Sequence, residues 1–263
     1  MVKAKIGIIG GTGVYDSEML KNPEEIEMKT PYGEPSDNIT VGNFKGKGVA
    51  FLPRHGKEHT IPPHKINGRA NIYALKELGV ERIFAPQAVG SLREEMKPGD
   101  IVFPDQFINR TWERLETFYD EGQVCHISMA DPFCIELRDI LIENTKDKDF
   151  DFHSGGTYVC IQGPRFSTRA ESNMYRQWGA DIIGMTLVPE VVLAREAEIC
   201  YSSIATITDY DCWKETAVSL DEVVNTMKKN QEKVKDILKT IIPEIPEERG
   251  NCECGNALKG ALL

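Results

Sequence analysis

Short apolar runs of strand length alternate along this chain with segments of helical period, and that alternation restricts it to a layered α/β architecture. The runs fall at 5–9, 49–52, 82–85, 100–103, 157–161, 181–184 and 201–207. Helix ends are marked between them. Asp131-Pro132 predicts an N-cap and first helical position, with Phe133, Leu137 and Leu141 on one face. Thr168 with Glu171 predicts a capping box, and Gly179 the end of that helix. Ser219 and Glu222 open the clearest helix, whose stripe Val223, Met227, Val234, Ile237 and Ile241 runs to Pro243. No repeat or linker divides the 263 residues, so the expectation is a single domain, 1–263, with a C-terminal tail from about 243.

Composition removes several classes of function. A net charge of −10 gives no footprint for nucleic acid or an anionic membrane surface. No apolar run approaches the ~20 residues of a membrane helix. The opening MVKAKIGIIGG is too short for a secretory core, so a cytoplasmic location is expected. Of seven cysteines only Cys252 and Cys254 lie close in sequence, with no second pair at metal-ligand spacing. His59 and His64 have only Glu58 as a nearby acid. No metal and no cofactor are expected.

The chemistry-bearing residues stand at the ends of the predicted strands, where open α/β sheets bind ligands. The turn Gly10-Gly11-Thr12-Gly13 can turn backbone N–H groups and a hydroxyl toward an anion. A dinucleotide fingerprint would need an acid ending a second strand ~20 residues on. Residues 22–28 read instead as a polar, proline-marked loop. Arg54-His55-Gly56 supplies a guanidinium fork suited to phosphate oxygens, with an imidazole donor beside it. Gln87-Ala88 and Met185-Thr186 follow two further strands, Thr186 near a predicted helix N-terminus at 188–199. Phe166 can stack on a flat heterocycle. Asp209 and Asp211, two apart in an extended segment, present paired carboxylates on one side.

In this order the motifs resemble the purine nucleoside phosphorylase superfamily. The likeness runs through Ile8–Gly13, Arg54-His55-Gly56, 90–93, 98–102, 125–134, Gly163–Ser167, 169–172, Met185-Thr186, 188–191 and 208–213. The resemblance implies a three-layer α/β fold with a twisted mixed central sheet, assembled as a trimer or dimer of trimers. It assigns inorganic phosphate, a co-substrate, to Thr12, Arg54, His55, Gln87, Ala88 and Thr186. Relatives commonly carry a small hydroxyl residue or asparagine where this chain has Gln87. It assigns the nucleoside to Phe166, Ser167, Met185, Asp209 and Asp211, with Leu220, Val223 and Val224 around the 5′ substituent. His126 would reach the site of a neighbouring subunit.

The implied reaction is phosphate-dependent cleavage of 5′-methylthioadenosine to adenine and 5-methylthioribose 1-phosphate. Asp209 would donate a proton to purine N7 and Asp211 would accept from the 6-amino group. The alternatives are a 6-oxopurine nucleoside or methylthioinosine phosphorylase, an NAD-dependent oxidoreductase, and a non-catalytic nucleoside-binding protein. The resemblance also raises two disulfides, Cys134–Cys200 and Cys252–Cys254, because thermophilic relatives use such bridges.

Overall fold

A computed structural model describes residues 4–11, 13, 19–214 and 220–263, with the backbone alone at 220–223. In chain order the elements are β1 (Ile6–Gly10), β2 (Lys21–Ile26), β3 (Ile39–Phe44), β4 (Lys47–Pro53), α1 (Gly68–Glu77), β5 (Arg82–Ser91), β6 (Ile101–Val102) and β7 (Gln106–Arg110). There follow α2 (Ile135–Thr145), β8 (Phe152–His153), β9 (Thr157–Ile161), α3 (Arg169–Gln177), β10 (Ile182–Gly184), α4 (Leu187–Glu196), β11 (Cys200–Tyr210) and α5 (Leu220–Glu244). All seven predicted strands are present, as β1, β4, β5, β6, β9, β10 and β11. They lie in one mixed sheet of order β2-β3-β4-β1-β5-β10-β9-β7, with β11 along the other edge of β5.

Period-two alternation sorts the strands onto two faces. Ile6, Ile8, Val49, Phe51 and Phe84 join one core, packed on α2 and α5. Ile9, Ala50, Leu52, Ile83 and Ala85 join the other, packed on α1 and α4. This is the expected three-layer arrangement. Val234, Ile237, Leu238, Ile241 and Ile242 of α5 are all buried, each stabilising the fold by about 1.5–3 kcal/mol over an exposed side chain. The Thr168 capping box forms in both directions and Gly179 closes α3 at φ +87°. Among the described residues no helix is long and apolar enough to cross a membrane.

Three readings are corrected. Residues 21–26 form strand β2 rather than a loop, but it is an exposed edge strand antiparallel to β3, where Pro23 is tolerated. The helix after Asp131-Pro132 starts at Ile135 with Cys134 as N-cap, because the Cys134 N–H is bonded to the Tyr201 carbonyl. Neither expected disulfide is formed: all seven cysteines are free. The sulfurs of Cys134, Cys200, Cys252 and Cys254 instead share one space. The cap residue Ser219 lies outside the described residues.

Past α5 the tail folds back over the domain. Arg249 donates to the carbonyls of Glu198 and Glu81, and Gly250 N–H to the Glu136 carboxylate. The chain then reaches the 124–126 segment, where His126 N–H meets the Ala261 carbonyl and Leu263 N–H the Val124 carbonyl.

Candidate active site

Strand β5 carries the site because one of its edges changes partner. Residues Arg82 to Phe84 pair with β1, and Gly90 and Ser91 pair with β10; residues 85–89 have neither. Their other edge runs along β11. The carbonyls of Gln87 and Val89 accept from Thr206 and Thr208 of β11. The Pro86 carbonyl faces the open side and accepts from Arg54 Nη1 at 2.9 Å. Proline lacks a donor and is tolerated here because no strand asks for one. Two residues on, the alternation turns the Ala88 N–H to the same open side.

The open edge floors a cavity of about 330 Å³. It gathers most of the residues singled out from sequence: Arg54, His55, Gln87, Ala88, Phe166, Ser167, Met185, Thr186, Asp209 and Asp211. Thr12 lies outside the described residues, although its neighbour Gly11 lines the cavity. The side chains of Leu220 and Val223 also lie outside them. Val224 is exposed and is not among the described residues lining the cavity; it sits a turn short of Met227, the first of those on α5. His126 is exposed and away from this chain's own cavity.

Arg54 is fully buried, and four of its five N–H donors are engaged. Nε and Nη2 meet the Glu190 carboxylate at 2.5 and 3.2 Å, and Nη2 also reaches the Ile9 carbonyl. Burial disfavours the guanidinium charge, but the Glu190 carboxylate more than offsets it and the pKa is raised. The bidentate grip expected on phosphate is thus made on Glu190, and one Nη1 hydrogen remains. Beside it, His55 is held neutral: burial first, then the Arg54 charge, lowers its pKa to about 4. His55 Nδ1 lies 2.8 Å from the Ile61 carbonyl, which can only accept. Nδ1 therefore carries the proton, and Nε2 is an acceptor rather than the expected donor.

The Gln87 carboxamide is turned into the core, accepting from Ser203 at 2.9 Å and donating to the Tyr201 hydroxyl at 3.4 Å. Thr186 leaves its hydroxyl unused as a cap. Val188 after it is extended (φ −98°, ψ 131°), so regular helix starts at Pro189 and Thr186 stands short of the dipole expected there. Arg114 donates to the carbonyls of Met185 and Gln162 and holds this turn against β9.

At the other end, a bulge at Thr208 in β11 lets Asp209 pair with Gly90 and Asp211 follow at the strand's end. A Cβ on Gly90 would stand 3.2 Å from Asp209 Oδ1, so glycine keeps the space beside the acids. Burial lifts the Asp209 pKa to about 6; the Thr208 hydroxyl, 2.6 Å away, opposes this and Asp211 adds to it. Burial raises Asp211 as well. Ser167 Oγ and Asn230 Oδ1 are buried in the cavity wall without hydrogen-bond partners among the described residues. Phe166 lies half over the rim.

Sequence reasoning missed Glu190, Arg114, Asn230 and Gln231. Glu190 stood as an acid inside the apolar run Leu187–Leu193, a sign of a buried counter-charge. Asn230 and Gln231 interrupted the apolar stripe of α5 between Met227 and Val234.

A family model described as the phosphorylase superfamily matches residues 5–243. An S-methyl-5′-thioadenosine phosphorylase from Thermofilum pendens is 59% identical over the full length of both chains. The crystal structure of a methylthioadenosine phosphorylase from an antarctic soil metagenomic library superposes with a TM-score of 0.95 at 48% identity, covering 100% of this chain and 93% of that one. The methylthioadenosine phosphorylase of Schistosoma mansoni in complex with adenine gives 0.91 at 41% identity, covering 98% and 97%.

Proposed function

Since the chain belongs to the phosphorylase superfamily, we propose that it cleaves 5′-methylthioadenosine with inorganic phosphate, giving adenine and 5-methylthioribose 1-phosphate. The observation that carries this reading is one cavity with an acid pair at one end, Asp209 with its pKa lifted to about 6, and anion-binding groups at the other.

As the bond from C1′ to purine N9 breaks, the sugar gains oxocarbenium character and the base gains electrons, while a phosphate oxygen bonds to C1′. Protonated Asp209 drains the charge at N7. A pKa near 6 in the open cavity rises further once the purine displaces water, which favours the proton-bearing form. Asp211 accepts from the 6-amino group, and Ser167 Oγ takes a remaining polar edge. Phosphate is held by the last Arg54 hydrogen, the Ala88 N–H, Thr186 and the 10–13 turn. Neutral His55 accepts a hydrogen bond at Nε2 from the P–OH of monohydrogen phosphate, which keeps its proton. Met227 and Val234 give α5 an apolar wall that suits a methylthio group better than a free hydroxyl. The enzyme works as a cytoplasmic homotrimer or dimer of trimers, with His126 offered to the next subunit. Trp112, Leu115 and Val124, all exposed, support an interface in this region.

A panel of purine nucleosides incubated with and without phosphate and scored for free base tests the reaction. Adenine release from methylthioadenosine only when phosphate is present is expected. Release without phosphate, or turnover of 6-oxopurine nucleosides alone, would overturn it. Light scattering checks the assembly.

A further inference from the structure

We propose that Cys134, Cys200, Cys252 and Cys254 form a tetrathiolate site for a thiophilic divalent cation of the Zn²⁺ class, in place of the sequence expectation that the chain holds no metal.

The four residues come from three places in the fold: the N-cap of α2, the first residue of β11, and the tail turn Glu253–Asn256, which Cys252 caps. Cys252 is extended (φ −83°, ψ 140°), which helps bring its sulfur and that of Cys254 to one side. All four sulfurs lie within 4.8 Å of one another, and three of the four residues are buried. A tetrahedral Zn²⁺ with bonds of ~2.3 Å sets its sulfurs about 3.8 Å apart. The Cys200–Cys252 separation is 3.5 Å, so the cluster closes on an ion by shifts of roughly an ångström or less.

The arrangement favours one four-coordinate centre over two disulfides. Two bridges require only two short separations, each at ~2.05 Å; here every pair of the four is close, and all four thiols are free. Binding releases the four thiol protons to solvent and forms four metal–sulfur bonds, with no change of oxidation state. Four thiolates around a dication leave a net double negative charge. Arg195 Nη1, 3.6 Å from Cys254 Sγ, stands where it offsets part of that charge. None of the four cysteines lines the substrate cavity, so the ion serves the fold. It would fasten the tail to α2 and β11.

The test uses the full chain, purified without chelator under reducing, oxygen-free conditions. Elemental analysis is expected to find one Zn²⁺ per chain. After chelation, Co²⁺ titration should give one equivalent with the charge-transfer absorption of tetrahedral thiolate coordination, displaced by one equivalent of Zn²⁺. Cys252→Ser and Cys254→Ser should each weaken Co²⁺ binding at least tenfold, while Cys212→Ser, outside the cluster, leaves it unchanged. The wild-type titration stands even if a variant folds poorly. Failure of the reduced wild-type chain to bind Co²⁺ or Zn²⁺ would overturn the proposal. So would equal binding in all variants, or a metal-free isolated protein lighter by two hydrogens per bridge at two bridges.

Discussion

The two ends of the cavity solve the same problem in opposite ways. Each buries an ionisable group that water would otherwise solvate. At the phosphate end Arg54 keeps its charge because Glu190, the Ile9 carbonyl and the Pro86 carbonyl surround it. At the purine end burial, and then the neighbouring Asp211, raise the Asp209 pKa to about 6, with no cation beside it among the described residues, so its proton is held more readily than an ordinary carboxyl's. A fixed charge suits an anionic co-substrate that must be bound; a labile proton suits a leaving group that must be neutralised only as it departs. The first end is built around a counter-charge; the second has, among the described residues, only neutral partners such as the Thr208 hydroxyl.

The comparison breaks most visibly at Glu190. Glu190→Ala strands a buried guanidinium and should lower stability by about 3–5 kcal/mol, read as a shift in the denaturant midpoint. A stable variant with altered phosphate KM alone would mean that Glu190 acts on phosphate directly and that Arg54 needs no counter-charge.

Next comes Asp209→Asn, which keeps the shape but removes the acid. Turnover of methylthioadenosine should fall by ~10²–10⁴. In the wild type, kcat/KM should decline as pH rises above about 6, and the variant should lose that limb. His55, already neutral above pH ~4, adds no limb of its own. A variant with the wild-type rate and profile would remove Asp209 from the chemistry.

Arg54→Lys preserves the charge beside Glu190 but loses the fork. It should raise the phosphate KM roughly 10- to 100-fold, the worth of one charge-assisted hydrogen bond. The nucleoside KM should hardly move. Equal effects on both would show that Arg54 shapes the whole cavity rather than its anion end.

The smallest effect is on stability against pH. Asp209 has its folded pKa raised from an unfolded value of ~3.9 to about 6, so ionising it costs stability as pH rises through that window. Between pH 5 and 8 the wild type should lose about 1 kcal/mol relative to Asp209→Asn, after discounting for solvent access. Thermal melts of both proteins check this. Parallel curves would mean that the acid is solvated after all.

These two ends also differ in how far the sequence disclosed them. The acids were legible because their placement is local: Asp209 near the end of β11 and Asp211 just past it needed only an extended backbone there. The Thr168 capping box was legible for the same local reason. Arg54 was legible as an anion-binding fork but not as a buried, counter-charged group, since its partner lies 136 residues away, on a helix, α4, that packs on α1 and β11. The tautomer of His55 depended on a carbonyl six residues on, presented by an irregular loop. Helix α1 passed unremarked although Asn67 caps its start and Gly79, at φ +87°, follows its last turn. Strand β2 was read as a loop because an exposed edge strand has no apolar alternation to show.

The gap along β5 between the last residue paired with β1 and the first paired with β10 has a mechanical meaning. The strands on either side of it belong to one sheet but meet only through this spine. A bound phosphoribosyl unit would take the place of the missing strand, accepting from the Ala88 amide and spanning the two flanks as a ladder rung would. Occupancy should then slow deuterium exchange at Ala88 more than at Gln87 or Val89, whose backbone already faces β11. Filling the site would stiffen the sheet, so that binding is felt in residues far from the ligand without any of them changing contact.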